Sequence, residues 1–469
     1  MELSFLDRGA ELQRLRRAFD SRTPEFVCLY GRRRCGKSRL LLKALEGRAA
    51  VYCVAVEREA PLQRAALARE IERLLPGFGR VTYPSWDDLL DRWYREAPAG
   101  SVLALDEFPF LVMSSPELPG LLQKHVDASR RKGPHLAICG SSQRMMFGLV
   151  LDGSAPLYGR AREIIKVAPL ALPYVQDAFG SDDPVKAVEA YAVWGGVPRY
   201  WELALDLGSL QDAIRDLVLS PLGILHQEPQ RLLLDELRDT QQASSLLALV
   251  GQGANRLSEI AGRIQRPATS LTRPLSWLID MGLLRREVPF GVSPRDAKRS
   301  IYRIDDPFLS FWYRYVDPNS SALASGRVEQ TLAQMRVDWD AFLGAAWEVI
   351  ARQSTAVLRT HGQQWHPAQR WWGRNAQGEQ AEFDIVAQSA QRPDTLLVGE
   401  VKLTIRNVAE GKSLLAGLEQ RARLCPFAQG KRILLALWVL RKVNGPDTEN
   451  VLGPGQVLSA FREDEESRR

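Results

Sequence analysis

Eight consecutive residues, Gly31-Arg32-Arg33-Arg34-Cys35-Gly36-Lys37-Ser38, carry the GxxxxGKS spacing of a phosphate-binding loop. Its glycines let backbone amides converge on the β- and γ-phosphates of a nucleotide, and a helix starting there adds partial positive charge. In such a loop Lys37 bridges phosphate oxygens, the Ser38 hydroxyl holds Mg²⁺, and Arg39 follows in the first helical turn. A nucleoside triphosphate with Mg²⁺ is the expected cofactor.

A second run, Val102-Leu103-Ala104-Leu105-Asp106-Glu107, is four apolar residues ending in two acids. A buried strand of this kind delivers Asp106 to the metal shell and Glu107 to a water, as a general base. An acidic strand end is weak by itself, since helix caps share it; beside the phosphate loop it gains meaning. A third run ends in Gly140-Ser141-Ser142, where Ser141 is placed either to sense the γ-phosphate or simply to make a turn. Arg144 and Arg160 are candidate arginine fingers, in cis or from a neighbour, with a surface arginine as the alternative for each.

Toward the C-terminus, Asp384 in Glu382-Phe383-Asp384 precedes Glu400-Val401-Lys402. Side chains repeat every second residue in a strand, so Glu400 and Lys402 share a face that Asp384 on a neighbouring strand can meet. Two carboxylates hold a divalent metal that activates water against a phosphodiester, the lysine stabilises charge, and Glu348 on a preceding helix completes the shell. This D-x15-E-x-K spacing resembles the restriction-endonuclease-like PD-(D/E)xK fold. An active nuclease and an inactive binding module both remain open. His361 and His366 lack metal-ligand spacing and read as loop histidines; Trp371 and Trp372 read as packing.

Between these sites, residues 256–264 and 267–284 read as helix-turn-helix. Leu271, Leu275, Leu278 and Ile279 face inward, and Thr269, Thr272, Arg273 and Ser276 face outward, where a recognition helix meets DNA. A hairpin over 284–304, with Arg295, Lys298 and Arg299 near its tip, reads as a wing. Residues 256–303 hold ten basic and four acidic residues, a local excess equal to the whole chain's +6. Phosphate contacts require such a cluster. Pro274 inside the second helix is a departure expected to kink it, and a rigid lid or protein-docking surface is the competing use. The aromatic run 308–315 reads as a core helix.

The elements that must position these groups are legible in outline. Strand-length apolar runs at 26–30, 50–56, 102–105, 136–139 and 164–167 alternate with amphipathic stretches, the pattern of a doubly wound parallel α/β sheet. The expected division is an ATPase-type core over 1–168, a helical lid over 169–230, a winged helix-turn-helix over 231–316 and an α/β nuclease-like unit over 327–462, with 317–326 as linker. At 469 residues and 45% hydrophobic, the chain needs no disulfide or metal staple. Its five cysteines lie mostly in apolar runs and form no CxxC pair, which suits buried thiols in a reducing compartment. The N-terminus lacks the basic start and apolar core of a signal peptide, and the apolar run at 433–440 is too short for a bilayer. The sequence thus reads as cytoplasmic, with no membrane partner.

Several segments together resemble one family. Phe5-Leu6-Asp7-Arg8-Gly9-Ala10-Glu11-Leu12, the GRRRCGKS loop, LALDEFPFL, CGSSQRMM, APLYGRA and Trp194-Gly195-Gly196-Val197-Pro198-Arg199-Tyr200 look like the archaeal-type ATPases, near the STAND and origin-recognition branches of the AAA+ class. The resemblance implies ATP as the nucleotide, Arg8 and Glu11 packed against the adenine, and Pro198 in the lid near the base. It also implies a C-terminal PD-(D/E)xK unit. The resulting expectation is an ATP-driven switch acting on DNA, working as monomer or homo-oligomer. The alternative is a slow-turnover regulatory ATPase whose C-terminal units bind protein partners.

Overall fold

The computed structural model describes residues 3–129, 132–236, 240–293, 295–296, 299–442 and 450–467. Five parallel strands, β1 (Phe26–Tyr30), β2 (Ala50–Val54), β3 (Val102–Asp106), β4 (His135–Gly140) and β5 (Glu163–Lys166), form a sheet in the order β2-β3-β4-β1-β5. β3 and β4 are buried along their whole length, as continuous apolar runs require of strands covered on both faces. The order brings the C-terminal ends of β1, β3 and β4 side by side. The phosphate loop, Asp106 and Ser141 leave the sheet there, where parallel sheets bind ligands.

Helices Tyr174–Phe179, Pro184–Trp194, Pro198–Leu205 and Leu210–Ala213 follow, with a π-helical turn at Ile214–Leu219. Gly196 joins two of them at a close approach: a side chain there would overlap the Leu170 carbonyl, and the Leu170 amide donates to Gly196 O at 2.7 Å. Helices Thr240–Gly251, Leu257–Ile264 and Ala268–Asp280 then lead into the antiparallel hairpin of β6 (Leu284–Glu287) and β7 (Ile301–Ile304). The helix Ala268–Asp280 runs on through Pro274.

A second five-stranded sheet has the order β12-β11-β10-β9-β8, made of β8 (Gln369–Arg374), β9 (Gln380–Gln388), β10 (Thr395–Ile405), β11 (Arg432–Lys442) and β12 (Val451–Leu452). β8, β9 and β10 are antiparallel neighbours, whereas β10 and β11 are parallel and joined through the helix Val408–Arg423. The long helix Val328–Ser354 packs on this sheet.

One point departs from the sequence reading. Residues 317–326, expected as a linker, form two short helices, Asp317–Asn319 and Ser320–Ala324. Leu323 is fully buried, and Asn319 ties back to the Tyr315 carbonyl at 2.9 Å, so this stretch packs instead of spanning. A continuous apolar core accordingly runs from Val27 and Leu29 through Trp194 and Trp201 to Phe308, Trp347 and Trp438. The aromatic run is the buried helix Pro307–Tyr315 within that core. All five cysteines are buried free thiols. No helix among the described residues is long and apolar enough to cross a membrane.

Candidate nucleotide site and C-terminal carboxylate cluster

Three residues bend the phosphate loop. Gly31 (φ 147°), Arg34 (φ 69°) and Gly36 (φ 87°) lie in the left-handed half of backbone space, and a Cβ on Gly31 would overlap the Val167 carbonyl. Gly36 immediately precedes the helix Lys37–Leu45, so the loop leads into a free helix N-terminus. Lys37 is buried, and its Nζ donates to the Arg32 carbonyl at 3.0 Å, across its own loop. Arg8 is also buried. It pairs with Glu11 at 3.1 Å and donates to the carbonyls of Cys35 (3.4 Å) and Ala168, bracing the loop backbone. Arg39 donates to Leu3 O at 2.6 Å, Arg33 is exposed, and Pro198 opens the helix Pro198–Leu205.

Beside the loop, Tyr52 donates from its hydroxyl to Asp106 Oδ2 at 2.6 Å, near Ser38. Burial, then the Asp106 carboxylate, pushes the Tyr52 hydroxyl well above its ordinary pKa, so it stays a proton donor. The Ser38 hydroxyl and the Asp106 carboxylate are hard oxygen donors suited to Mg²⁺. Tyr52 was not evident from sequence; the only signal is its place on the strand paired with β3, facing Ala104. Glu107 adopts φ 51°, its amide donates to Asp106 Oδ1 at 2.9 Å, and its carboxylate accepts from the Ser141 amide (3.2 Å) and hydroxyl (2.9 Å). Ser141, expected either to sense the γ-phosphate or to make a turn, donates here to Glu107 and so aims it.

The two phosphate-loop arginines that flank Arg33 face carboxylates from distant elements. Arg32 ion-pairs with Asp306, both buried, and donates to the Tyr200 hydroxyl at 3.1 Å. Tyr200 in turn donates to Glu228 at 3.0 Å, and Glu228 pairs with Arg34 at 2.8 Å. Asp306 also caps the helix Pro307–Tyr315 by accepting from the Leu309 amide at 2.8 Å. Buried charges of this kind persist only when paired. Asp306, Tyr200 and Glu228 were missed because no local spacing links them to the loop.

Both finger candidates have other partners. Arg160 makes two 2.9 Å bonds to Asp127, a bidentate pairing that holds its guanidinium on the helix Leu118–Ala128. Arg144 stacks 4.6 Å from the Trp277 ring, which also receives Arg273 at 4.9 Å. Along Ala268–Asp280, Thr269, Thr272, Arg273 and Ser276 are exposed while Leu271, Leu275 and Leu278 are buried. Arg295 is exposed, but Arg299 donates to the Trp372 carbonyl at 3.1 Å and so lies against the second sheet. The Phe290 amide docks there too, on Arg370 O at 2.8 Å, so part of the hairpin tip is spent on an internal contact. Lys298 lies outside the described residues.

In the second sheet, Asp384 Oδ2 accepts from the Val401 amide at 3.0 Å, which places it beside Glu400 and Lys402. Lys402 pairs with Glu400 Oε1 at 2.7 Å, and Arg421 takes the other oxygen. Burial raises the pKa of Asp384, with the Glu400 charge adding to it. Burial and the Asp384 charge raise that of Glu348. Nearby Arg352 donates to Asp384 O at 2.5 Å and is lowered to about 10 by burial. Burial is the first cause of both carboxyl shifts, and a neighbouring cation would oppose it. The expected shell is nonetheless open: Asp384, Glu400 and Glu348 do not bring three ligand oxygens within 4.8 Å of one another, and Lys402 and Arg421 occupy the two oxygens of Glu400. Trp371 packs on Phe383 and Phe427, and His361 is bonded to Leu435 O at 2.9 Å.

Comparison with known proteins bears on this geometry. An uncharacterized protein of Methanocaldococcus jannaschii, MJECL04, is 29% identical over 425 residues, which is 90% of this chain and 92% of that one. The Walker-type ATPase paby2304 of Pyrococcus abyssi shares the fold, with TM-score 0.51 at 19% identity over 66% of this chain and 96% of its own. Residues 312–414 match a family described as "Archaea bacterial proteins of unknown function". Residues 5–203, which hold the phosphate loop, Asp106, Glu107 and Pro198, match the family described as "ATPase domain predominantly from Archaea".

Proposed function

We propose that this ATPase is a nucleotide-controlled switch that acts on DNA. Loop amides and Lys37 hold the phosphates, Ser38 and Asp106 hold Mg²⁺, and Glu107 takes a proton from the attacking water. Mg²⁺ supplies neutralisation of phosphate charge when bound. One observation carries the switch: Lys37, which must release the Arg32 carbonyl to reach a phosphate, shares its loop with the arginine that grips Asp306. A loop rearrangement on nucleotide binding therefore pulls on the cap of Pro307–Tyr315. That helix packs on Val328–Ser354, which supports the second sheet, and lies directly after the hairpin.

The DNA reading rests on the exposed, polar outer face of Ala268–Asp280, and a metal-dependent phosphodiesterase step in the second sheet rests on the placing of Asp384 beside Glu400 and Lys402 and needs Lys402 and Arg421 to release Glu400. The decisive experiment measures ATP turnover against added duplex DNA. Asp306→Asn keeps a good helix cap but removes the charge facing Arg32. It is expected to retain ATP binding within about threefold and to lose at least about tenfold of any DNA response. In parallel, Arg273→Glu with Arg295→Glu should weaken DNA binding and flatten its salt slope by about two phosphate contacts. If wild-type turnover ignores DNA and binding has no salt slope, the protein-partnered regulatory alternative takes its place.

A further inference from the structure

On the flank of the first sheet, a cluster unconnected to either site joins two helices. Asp87 and Asp91 lie four residues apart on Trp86–Glu96, so their carboxylates project from one face. His125 projects from Leu118–Ala128 against them. Its side chain is only 7% exposed, and its ring lies flat on Tyr94, with centroids 4.7 Å apart and planes within 6°. Nε2 sits 3.3 Å from Asp91 Oδ1 and 3.7 Å from Asp87 Oδ1, yet makes no hydrogen bond among the described residues. No other set of three such side chains among the described residues brings its ligand atoms within 4.8 Å of one another.

Ligand bonds of about 2.0–2.1 Å in tetrahedral zinc give ligand-to-ligand edges of about 3.3–3.4 Å. The 3.3 Å separation to Asp91 has that length, and the 3.7 Å separation to Asp87 exceeds it slightly. The same two Oδ1 atoms already attract a cation: Lys124 Nζ lies 2.8 Å from that of Asp87 and 3.4 Å from that of Asp91. Lys124 is half exposed, with open water to swing into.

We propose that Asp87, Asp91 and His125 form a binding site for a divalent transition cation of the Zn²⁺ class, with Lys124 as its displaceable occupant. An imidazole with two carboxylates selects such an ion over Mg²⁺, which prefers oxygen alone. The site would pin the two helices together without entering the ATPase chemistry.

The test is calorimetric titration of Zn²⁺ into the full, chelator-treated chain without nucleotide, alongside thermal unfolding with and without Zn²⁺. Wild type should show a saturable site and a Zn²⁺-dependent rise in Tm. Lys124→Ala, a change at an exposed position, should tighten binding about tenfold by removing the competing ammonium, and His125→Ala should weaken it at least tenfold. Asp384→Asn should leave this binding unchanged, which separates it from the second-sheet carboxylates. Co²⁺ in place of Zn²⁺ should give visible absorption in Lys124→Ala that His125→Ala lacks. Zn²⁺ binding that is no tighter in Lys124→Ala, or no weaker in His125→Ala, would overturn the assignment.

Discussion

Glu107→Gln is expected to lower ATP turnover about 10²–10⁴-fold, the usual contribution of a positioned general base, with nucleotide affinity nearly unchanged. Glutamine keeps an oxygen for the two Ser141 donors, so the side chain stays aimed, but an amide cannot take up the proton of the attacking water. Ser141→Ala removes one donor and leaves the backbone amide. Its expected loss is correspondingly smaller, about tenfold, and falls on turnover and not on affinity. Lys37→Ala differs from both, because it removes a phosphate ligand and should abolish binding along with hydrolysis. Single-turnover hydrolysis and equilibrium nucleotide binding together separate the three variants. Wild-type turnover in Glu107→Gln would mean that another group handles the proton.

Asp384→Asn should abolish Mg²⁺- or Mn²⁺-dependent DNA cleavage, by at least about 10²-fold, because an amide is a poor metal ligand. The same change should stabilise the protein at neutral pH. Burial raises the folded-state pKa of Asp384, so its contribution to stability is greatest when protonated and falls as pH rises through that value. Asparagine stays neutral and can still accept from the Val401 amide. The stability gap between variant and wild type should therefore vanish below the unfolded carboxylate pKa of about 3.9 and widen toward neutrality. Denaturation at a series of pH values checks the sign. Equal cleavage by the two proteins would reduce the cluster to a charged structural joint between hairpin and sheet.

Much of this molecule was legible in the sequence because the signals are local. A GxxxxGKS run fixes its own geometry, since the glycines at 31 and 36 are needed for backbone angles that other residues avoid. Apolar runs ending in Asp106 or Gly140 announce buried parallel strands, and the alternation around Glu400 and Lys402 announces a shared face. Even the outward set on Ala268–Asp280 follows from helical spacing alone.

Partners remote in the chain were not legible. Arg32 and Arg34 stood in the nucleotide-binding loop, and nothing near them pointed to Tyr200, 168 positions from Arg32, or to Asp306. Arg160 and Arg144 were candidates for a γ-phosphate or for the surface, and no local spacing pointed to the contacts they make with Asp127 and Trp277. The chain by itself determined which backbone segments cradle phosphate and which strands carry acids, because those depend on neighbours a few residues away. Only the tertiary structure decided which charge meets which, because an arginine reaches any carboxylate that folding buries beside it, and the cost of an unpaired buried charge then enforces the match.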